Sequence, residues 1–331
     1  MTIDTYRPKV SIVMSFHNEP LQWIRFAVES ILEQTLQNIE LIIVCDNPDH
    51  AEGISYIRSL HDKRIRFIIN PENVGPTKSF NTAIAVAEGE YIARMDADDI
   101  SLPKRLQTQV EYLDSHPEVS VCATDTHTID KEGKITRRNR YKRKKDIALM
   151  FISNCIAHPS VMFRKNLLEV RNPIYNEDYR YSQDYELWLF LILNGHKIHM
   201  IDRSLLLYRK HGIQISTEEK ILQAELAKKA HKSFINKWLS SKKIITAEQS
   251  DDLKCMLKMS SDAYSSLSDP EEKRRLMYVI YVLYYSLGSL DWKYRLKYLT
   301  APQLMVFRIR VIFTLRLLFS SRKRRNRINI S

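Results

Sequence analysis

Tyr91-Ile92-Ala93-Arg94-Met95-Asp96-Ala97-Asp98-Asp99 is a largely apolar run that ends in three carboxylates, with Pro103 close behind. A short apolar run bounded by polar turn residues reads as a buried strand, and a proline just beyond it suits the opening of a helix. In an extended Asp-x-Asp the alternate side chains share a direction, so Asp96 and Asp98 can aim at one site. Hard oxygen ligands at that spacing suit Mg²⁺ or Mn²⁺, whose coordination is completed by water and by substrate phosphates. The same residues also fit an ordinary Asp-rich surface turn, so the flanking sequence has to decide.

Working outward, strand patterns recur at Val10 to Ser15, Ile39 to Asp46, Ile65 to Asn70 and Val119 to Ala123. Helical patterns fill the gaps. The first follows Asn18, expected as its N-cap, with Pro20 in the opening turn and Trp23, Ala27, Ser30 and Ile31 at helical spacing. Others run over Ile54 to Leu60, Thr77 to Ala87 and Pro103 to Ser115. Strands alternating with helices predict an α/β fold on a mostly parallel sheet. Polar residues cluster just after the strands: His17, Asn18 and Glu19, then Asp46 and Asn47, then Asp96, Asp98 and Asp99. Ligands of open α/β sheets bind at the carboxyl ends of the strands, so one cleft is expected there.

Further along come a basic connector, Lys131 to Asp146, turning at Gly133, and a helix near Ile147 to Ser153. A strand over Val161 to Phe163, a polar loop from Arg171 to Gln183 and a helix from Asp184 to Asn194 follow. From about Ser216 the pattern is helical with no strand signal. The expected organisation is a catalytic domain over 1–215 and a helical region over 216–331.

The net charge of +12 suggests an anionic partner, but its distribution argues against nucleic acid. Lys134 to Lys145 holds eight basic residues and no acid, as does Ala301 to Ser331, which leaves the rest slightly acidic. No helix-turn-helix, RNP or zinc pattern accompanies either patch. Cys45, Cys122, Cys155 and Cys255 are far apart, which fits a reducing compartment. The first nine residues lack the apolar stretch of a signal peptide. A cytoplasmic location is expected.

Read in order, several motifs resemble one enzyme family. They are Val10-Ser11-Ile12-Val13-Met14-Ser15-Phe16-His17-Asn18-Glu19, Val44-Cys45-Asp46-Asn47, Asn73-Val74-Gly75-Pro76-Thr77-Lys78 with Asn81, Glu88-Gly89-Glu90-Tyr91-Ile92 leading into Asp96-Ala97-Asp98-Asp99, and Gln183-Asp184-Tyr185-Glu186-Leu187-Trp188. Together they resemble glycosyltransferase family two, the inverting group with the Rossmann-like GT-A fold. The resemblance covers about residues 9–215 and stops before the helical region.

The resemblance implies a role for each matching position. Asp46 would read the nucleotide base, beside a turn formed by His17, Asn18 and Glu19, although capping a helix would also explain these residues. Lys78 would lie near the diphosphate. Asp96 would contact the ribose or a metal, and Asp98 would ligate Mn²⁺ or Mg²⁺. Asp99 could serve that site or cap the following helix. Tyr208-Arg209-Lys210-His211 with Ser216 resembles a later family feature, in which His211 would be a third metal ligand and Arg209 would neutralise the departing phosphate. Ala157-His158-Pro159-Ser160 resembles an acceptor-side segment.

Inversion needs one carboxylate to take the proton of the attacking hydroxyl. Asp184 is expected to be that base, at the start of the apolar helix Leu187 to Leu193, whose N-terminus favours an ionised carboxylate. The family pattern has Glu-Asp where this chain has Gln183-Asp184. A literal Glu177-Asp178 lies six residues upstream but has no apolar helix behind it, and reads as an acceptor-side loop.

Leu304 to Phe319 is apolar but carries Arg308, Arg310 and Arg316, and is too short and too charged to span a bilayer. With the basic residues from Arg322 to Arg327 it fits peripheral contact with an anionic membrane surface, or packing onto the catalytic domain. Tyr278, Tyr281 and Tyr285 form a stripe at helical spacing, read as core. The expectation is a hexosyltransferase that takes its sugar from a UDP-sugar donor and passes it to a growing, lipid-linked surface polysaccharide at the inner face of the plasma membrane. A nucleotidyltransferase would also use paired carboxylates, but would open with a Gly-rich loop that does not follow the first strand. A non-catalytic membrane- or nucleic-acid-binding protein gives the ordered carboxylates no role.

Overall fold

The structure, a computed structural model, describes residues 7–138, 150, 154–212, 219–250 and 252–286. Ser216, most of the expected helix over 147–153, the later part of the basic connector and the whole of 287–331 lie outside the described residues. So do the side chains of Tyr281 and Tyr285.

The chain alternates as β1 (Val10–Phe16), α1 (Leu21–Leu32), β2 (Ile39–Cys45), α2 (Ala51–Ser59), β3 (Ile65–Ile69), α3 (Pro76–Ala85) and β4 (Tyr91–Asp96). It continues with β5 (Ile100–Ser101), α4 (Arg105–Ser115), β6 (Val119–Ile129), β7 (Ile135–Arg137), β8 (Val161–Arg164) and α5 (Leu167–Val170). Then come α6 (Gln183–Leu193), β9 (Lys197–Arg209), α7 (Lys220–Ser241), α8 (Leu253–Ser266) and α9 (Pro270–Ser286). The sheet order is β3-β2-β1-β4-β8-β6-β9-β5, with β7 paired to β6. Strands β3, β2, β1 and β4 are mutually parallel, and β6 runs parallel to β9. The remaining pairings are antiparallel.

Strands covered on both faces read as near-continuous hydrophobic runs. Accordingly β1 and β2 are buried almost throughout, and Ile12, Met14, Leu41 and Ile43 join Ile24, Val28 and Ile31 of α1 in one core cluster. Gly89 is required just before β4, because a Cβ there would meet the Ser11 backbone nitrogen at 2.5 Å. From β1 the chain winds outward to β2 and β3, then crosses back to place β4 on the other side of β1. That reversal opens a crevice at the carboxyl ends of β1 and β4.

Three sequence expectations needed correction. Asn18 does not cap α1: Pro20 occupies that position, and the Asn18 Oδ1 instead accepts from Asn47 Nδ2 at 2.8 Å. Helix α4 starts at Arg105 rather than Pro103, because Ile100 and Ser101 first pair with Leu207 and Leu206 of β9. Strand β9 was not foreseen. Its pairing jumps from Thr124↔Ile201 to Asp125↔Ser204, so Asp202 and Arg203 bulge out and break the period-two pattern by which a strand is recognised.

The chain divides into two compact units, one ending at Trp238 and one beginning at Leu239. In the second, α8 and α9 pack together over Met256, Leu257, Leu276 and Val279. Among the described residues no helix is long and apolar enough to cross a membrane.

Candidate active site

Register places the first polar groups at one level. Ser15 of β1 lies opposite Asp96 of β4, and Phe16 lies opposite Cys45 of β2, so the residues that follow leave the sheet at the same edge. The Asp46 side chain, 2% exposed, accepts from Asn70 Nδ2 at 2.7 Å and Val74 N at 3.0 Å through Oδ1, and from Gly75 N at 2.9 Å through Oδ2. Gly75 makes the turn possible, since its φ of +85° is one that other residues adopt only at a cost. His17 Nδ1 lies 3.1 Å from the Asp46 carbonyl, which can only accept, so that nitrogen carries the proton and Nε2 accepts from Asn73 at 3.3 Å. Glu19 Oε2 accepts from His17 N at 2.7 Å. Burial pushes the Glu19 carboxyl up, and the nearby Asp98 charge adds to this.

Asp96, Asp98 and Asp99 each offer an oxygen within 4.8 Å of the others. Asp99 is fully buried. One of its oxygens accepts from Arg209 N at 2.8 Å and the other, Oδ2, has no hydrogen-bond partner. Burial and then the Asp98 and Asp96 charges push the Asp99 carboxyl well up, and burial likewise raises Asp96. Three crowded carboxylates, one of them fully buried with an unmet acceptor, are unfavourable as they stand, and the donor set fits a hard divalent cation. Asp99 does not cap α4, whose N-cap is Lys104.

The end of β9 brings two more groups to this cluster. His211 Nε2 lies 2.8 Å from Asp98 Oδ2. Arg209 is fully buried and donates through Nε to the Asp98 carbonyl at 2.7 Å and through Nη1 to the Asp130 and Lys131 carbonyls, both at 3.0 Å. The geometry makes it a clamp on the turn that carries Asp98 and Asp99. Trp23 of α1 supports both, with its ring 4.5 Å from the His211 ring and 5.1 Å from the Arg209 guanidinium carbon.

Asp184 stands in the first turn of α6, half-buried, and its Oδ2 accepts from Asn154 Nδ2 at 2.7 Å. Burial raises its carboxyl, against the opposing pull of the Tyr185 backbone N–H, Asn154 and the Arg94 charge. Its charge acts on Asp96, raising that carboxyl a little further. Asp178 is exposed on a separate turn, and Lys78 sits 3.8 Å from Glu177 on the same turn. His158 is buried and held neutral, with Nε2 2.7 Å from the Tyr175 hydroxyl, while Asn81 clamps Tyr175 by its backbone N–H (3.1 Å) and carbonyl (2.9 Å).

Sequence reasoning missed Arg94 and Asn154. Arg94 had a legible signal, a cation inside an otherwise buried strand two residues from Asp96. Asn154 had none. A cavity of about 440 Å³ lined by Arg7, Glu90, Arg164 and Lys165 lies at the opposite edge of the sheet. Its cations are engaged: Arg164 donates to the Leu113, His116 and Val119 carbonyls, and Lys165 to Ala87.

Comparison with known proteins agrees with this geometry. Residues 11–171 match the family described as glycosyl transferase family 2. The glycosyltransferase MJ1057 of Methanocaldococcus jannaschii is 37% identical over 208 residues, covering 61% of this chain and 71% of the relative. The O-antigen biosynthesis glycosyltransferase WbnJ of Escherichia coli is 28% identical, covering 61% and 80%. Among solved structures, residues 1–349 of S. aureus TarS in complex with UDP-GlcNAc superpose with a TM-score of 0.57 at 16% identity, over 85% of this chain and 82% of that one, which shows a shared GT-A fold. With its own carboxylate cluster lying at the switch point of the sheet, the chain belongs to glycosyltransferase family 2 and is a glycosyltransferase.

Proposed function

We propose that this glycosyltransferase moves a hexose from a UDP-sugar to a growing, lipid-linked surface polysaccharide, with inversion at the anomeric carbon. The observation that carries the reading is the cluster of Asp96, Asp98 and Asp99 at the carboxyl ends of the central strands, with the Asp184 charge near enough to act on Asp96. The UDP donor is supported by the TarS complex, and the polysaccharide acceptor by the O-antigen relative. The proposed catalytic domain ends near residue 215, and the basic tail beyond the described residues is the proposed contact with an anionic membrane surface at the cytoplasmic face.

Asp98 and Asp99, with His211 and Asp96 beside them, would hold Mn²⁺ or Mg²⁺, which supplies Lewis-acid neutralisation of the diphosphate as it leaves. His17, Asn18, Glu19 and Asp46 shape the wall on which the nucleotide rests, and Lys78 flanks its diphosphate. Asp184 takes the proton of the acceptor hydroxyl while that oxygen bonds to the anomeric carbon and the carbon–oxygen bond to UDP breaks. A raised carboxyl suits this step, because a stronger base accepts the proton more readily at neutral pH. An α-linked donor then gives a β-linked product.

The test is a screen of nucleotide sugars for UDP release with and without Mn²⁺. Metal-dependent release from a UDP-hexose is expected. Release only from another nucleotide's sugars, or release that ignores metal, overturns the donor assignment.

A further inference from the structure

Arg94 is the charged side chain of the crevice that neither the motif reading nor the reaction accounts for. It is 6% exposed on β4, and strand alternation puts it on the same face as Asp96. A buried guanidinium is tolerated only when paired and packed. Here Nη1 lies 2.7 Å from Asp96 Oδ1, and the guanidinium carbon sits 4.3 Å over the Phe80 ring of α3. The strand beneath it is pinned in turn, because Arg105, itself fully buried, donates through Nη2 to the Arg94 carbonyl at 2.6 Å. On the other side, Arg94 is near enough to Asp184 for each charge to act on the other.

We propose that Arg94 is a positioning residue that holds Asp96 by an ion pair and keeps one positive charge beside the donor-side carboxylates. It is built like a strut, with a rigid planar group packed over Phe80, ion-paired with a carboxylate, and carried on a strand position that Arg105 holds. Two consequences follow. Arg94 competes with a divalent cation for Asp96, so the resting site binds metal more weakly than its carboxylates alone would. It also keeps Asp96 and Asp184 in fixed relation when the donor and acceptor must meet, where a displacement of about 1 Å can cost about 10²-fold in rate.

The inference rests on the metal and nucleotide-sugar reading above, so the experiment reads metal binding first. Mn²⁺ alone is titrated into the full chain and the unbound ion is followed by electron paramagnetic resonance. UDP-hexose turnover is then measured on the same samples. Arg94→Met keeps an unbranched apolar stem but removes the guanidinium and its charge. It should bind Mn²⁺ about tenfold more tightly, the scale on which a neighbouring unit charge acts at a carboxylate, while turnover falls about 10²-fold with little change in KM for the donor. Arg94→Lys keeps the charge and should restore wild-type Mn²⁺ affinity and part of the turnover.

A merely structural role would weaken Mn²⁺ binding in both variants alongside a loss of Tm, and that result overturns the proposal. So does wild-type turnover in Arg94→Met. If Arg94→Met does not fold, Arg94→Lys decides: near-normal Mn²⁺ affinity with reduced turnover supports the strut, and parallel loss of both sinks it. Wild-type protein that neither binds Mn²⁺ nor releases UDP overturns the functional reading instead.

Discussion

Asp46 and Asp184 are carboxylates delivered to the same crevice, one from the end of β2 and one from the first turn of α6, and the protein treats them differently. Asp46 is 2% exposed and accepts three hydrogen bonds that tie down Asn70, Val74 and Gly75. Asp184 is half-buried and has one side-chain partner, Asn154, besides the backbone of its own helix. A carboxylate that accepts three of its roughly four possible hydrogen bonds is held firmly in place, whereas one with more unfilled acceptor sites takes a proton more readily. On the proposed reading, the donor half of the crevice is built in advance and the acceptor half keeps its base available.

The largest expected effect probes the donor half. Asp98→Ala should abolish transfer and weaken UDP binding only when a divalent cation is present, since metal would bridge carboxylate and diphosphate. Calorimetric titration of UDP with and without Mn²⁺ reads this, and an equal loss in both conditions would show that Asp98 acts on the nucleotide directly. The matching probe of the acceptor half is Asp184→Asn. It should leave UDP-sugar affinity within a few-fold and lower turnover by about 10² to 10⁴, the usual range for a lost general base. Single-turnover transfer measured beside donor binding makes the distinction, and a larger rate loss from Asp178→Asn would move the base to the other loop.

Next in size is an effect on stability. Asp46→Ala strands three donors, two of them backbone N–H groups, and should lower unfolding stability by about 2–4 kcal/mol, the scale of losing charge-assisted hydrogen bonds at a buried site. Urea denaturation checks it. A variant as stable as the wild type would mean that the Asn73–Gly75 turn is held by other contacts, and the contrast with Asp184 would collapse.

The same contrast explains what could be read from the sequence. The donor half consists of short connections, so β1, β2 and β4 each hand their polar residues straight to the crevice, and local sequence order is spatial order. His17, Asp46, Asp96 and Asp98 were visible for that reason. The rest is assembled from distant pieces: Asn154 reaches Asp184 across 30 residues, and on the donor side itself Arg209 reaches Asp99 across 110. Strand β9, which delivers Arg209, hides its period behind the Asp202–Arg203 bulge. Local pattern also leaves side-chain orientation unread. Arg209 reads as a phosphate ligand in sequence, yet its Nε and Nη1 donate to backbone carbonyls. Arg94 has no role in the sequence reading, yet it lies against Asp96.

The smallest effect sharpens the comparison most, because it concerns the one side chain that Asp184 does accept from. Burial raises the Asp184 carboxyl from its ordinary value, and the Asn154 amide, at 2.7 Å, opposes this by favouring the ionised form. Transfer needs Asp184 ionised, so the rate should climb with pH through its pKa and then level off. Removing the donor in Asn154→Ala raises that pKa further and should move the acid limb to higher pH by about half to one unit, given that a hydrogen bond to a charged group contributes about 1.5–3 kcal/mol and Asn154 is solvent-exposed. On the plateau the variant should stay within a few-fold of the wild type. Stability follows the same sign. A carboxyl raised by folding helps the fold while it is protonated, below its unfolded value, and loses that help as pH rises through its folded value. Asn154→Ala should therefore match the wild type in acid and be slightly less stable at neutral pH. Rate–pH profiles of wild type, Asn154→Ala and Asp184→Asn measured side by side complete the test. The limb should be absent from the residual activity of Asp184→Asn, and its persistence there, or an unmoved limb in Asn154→Ala, would assign the titrating base to another residue.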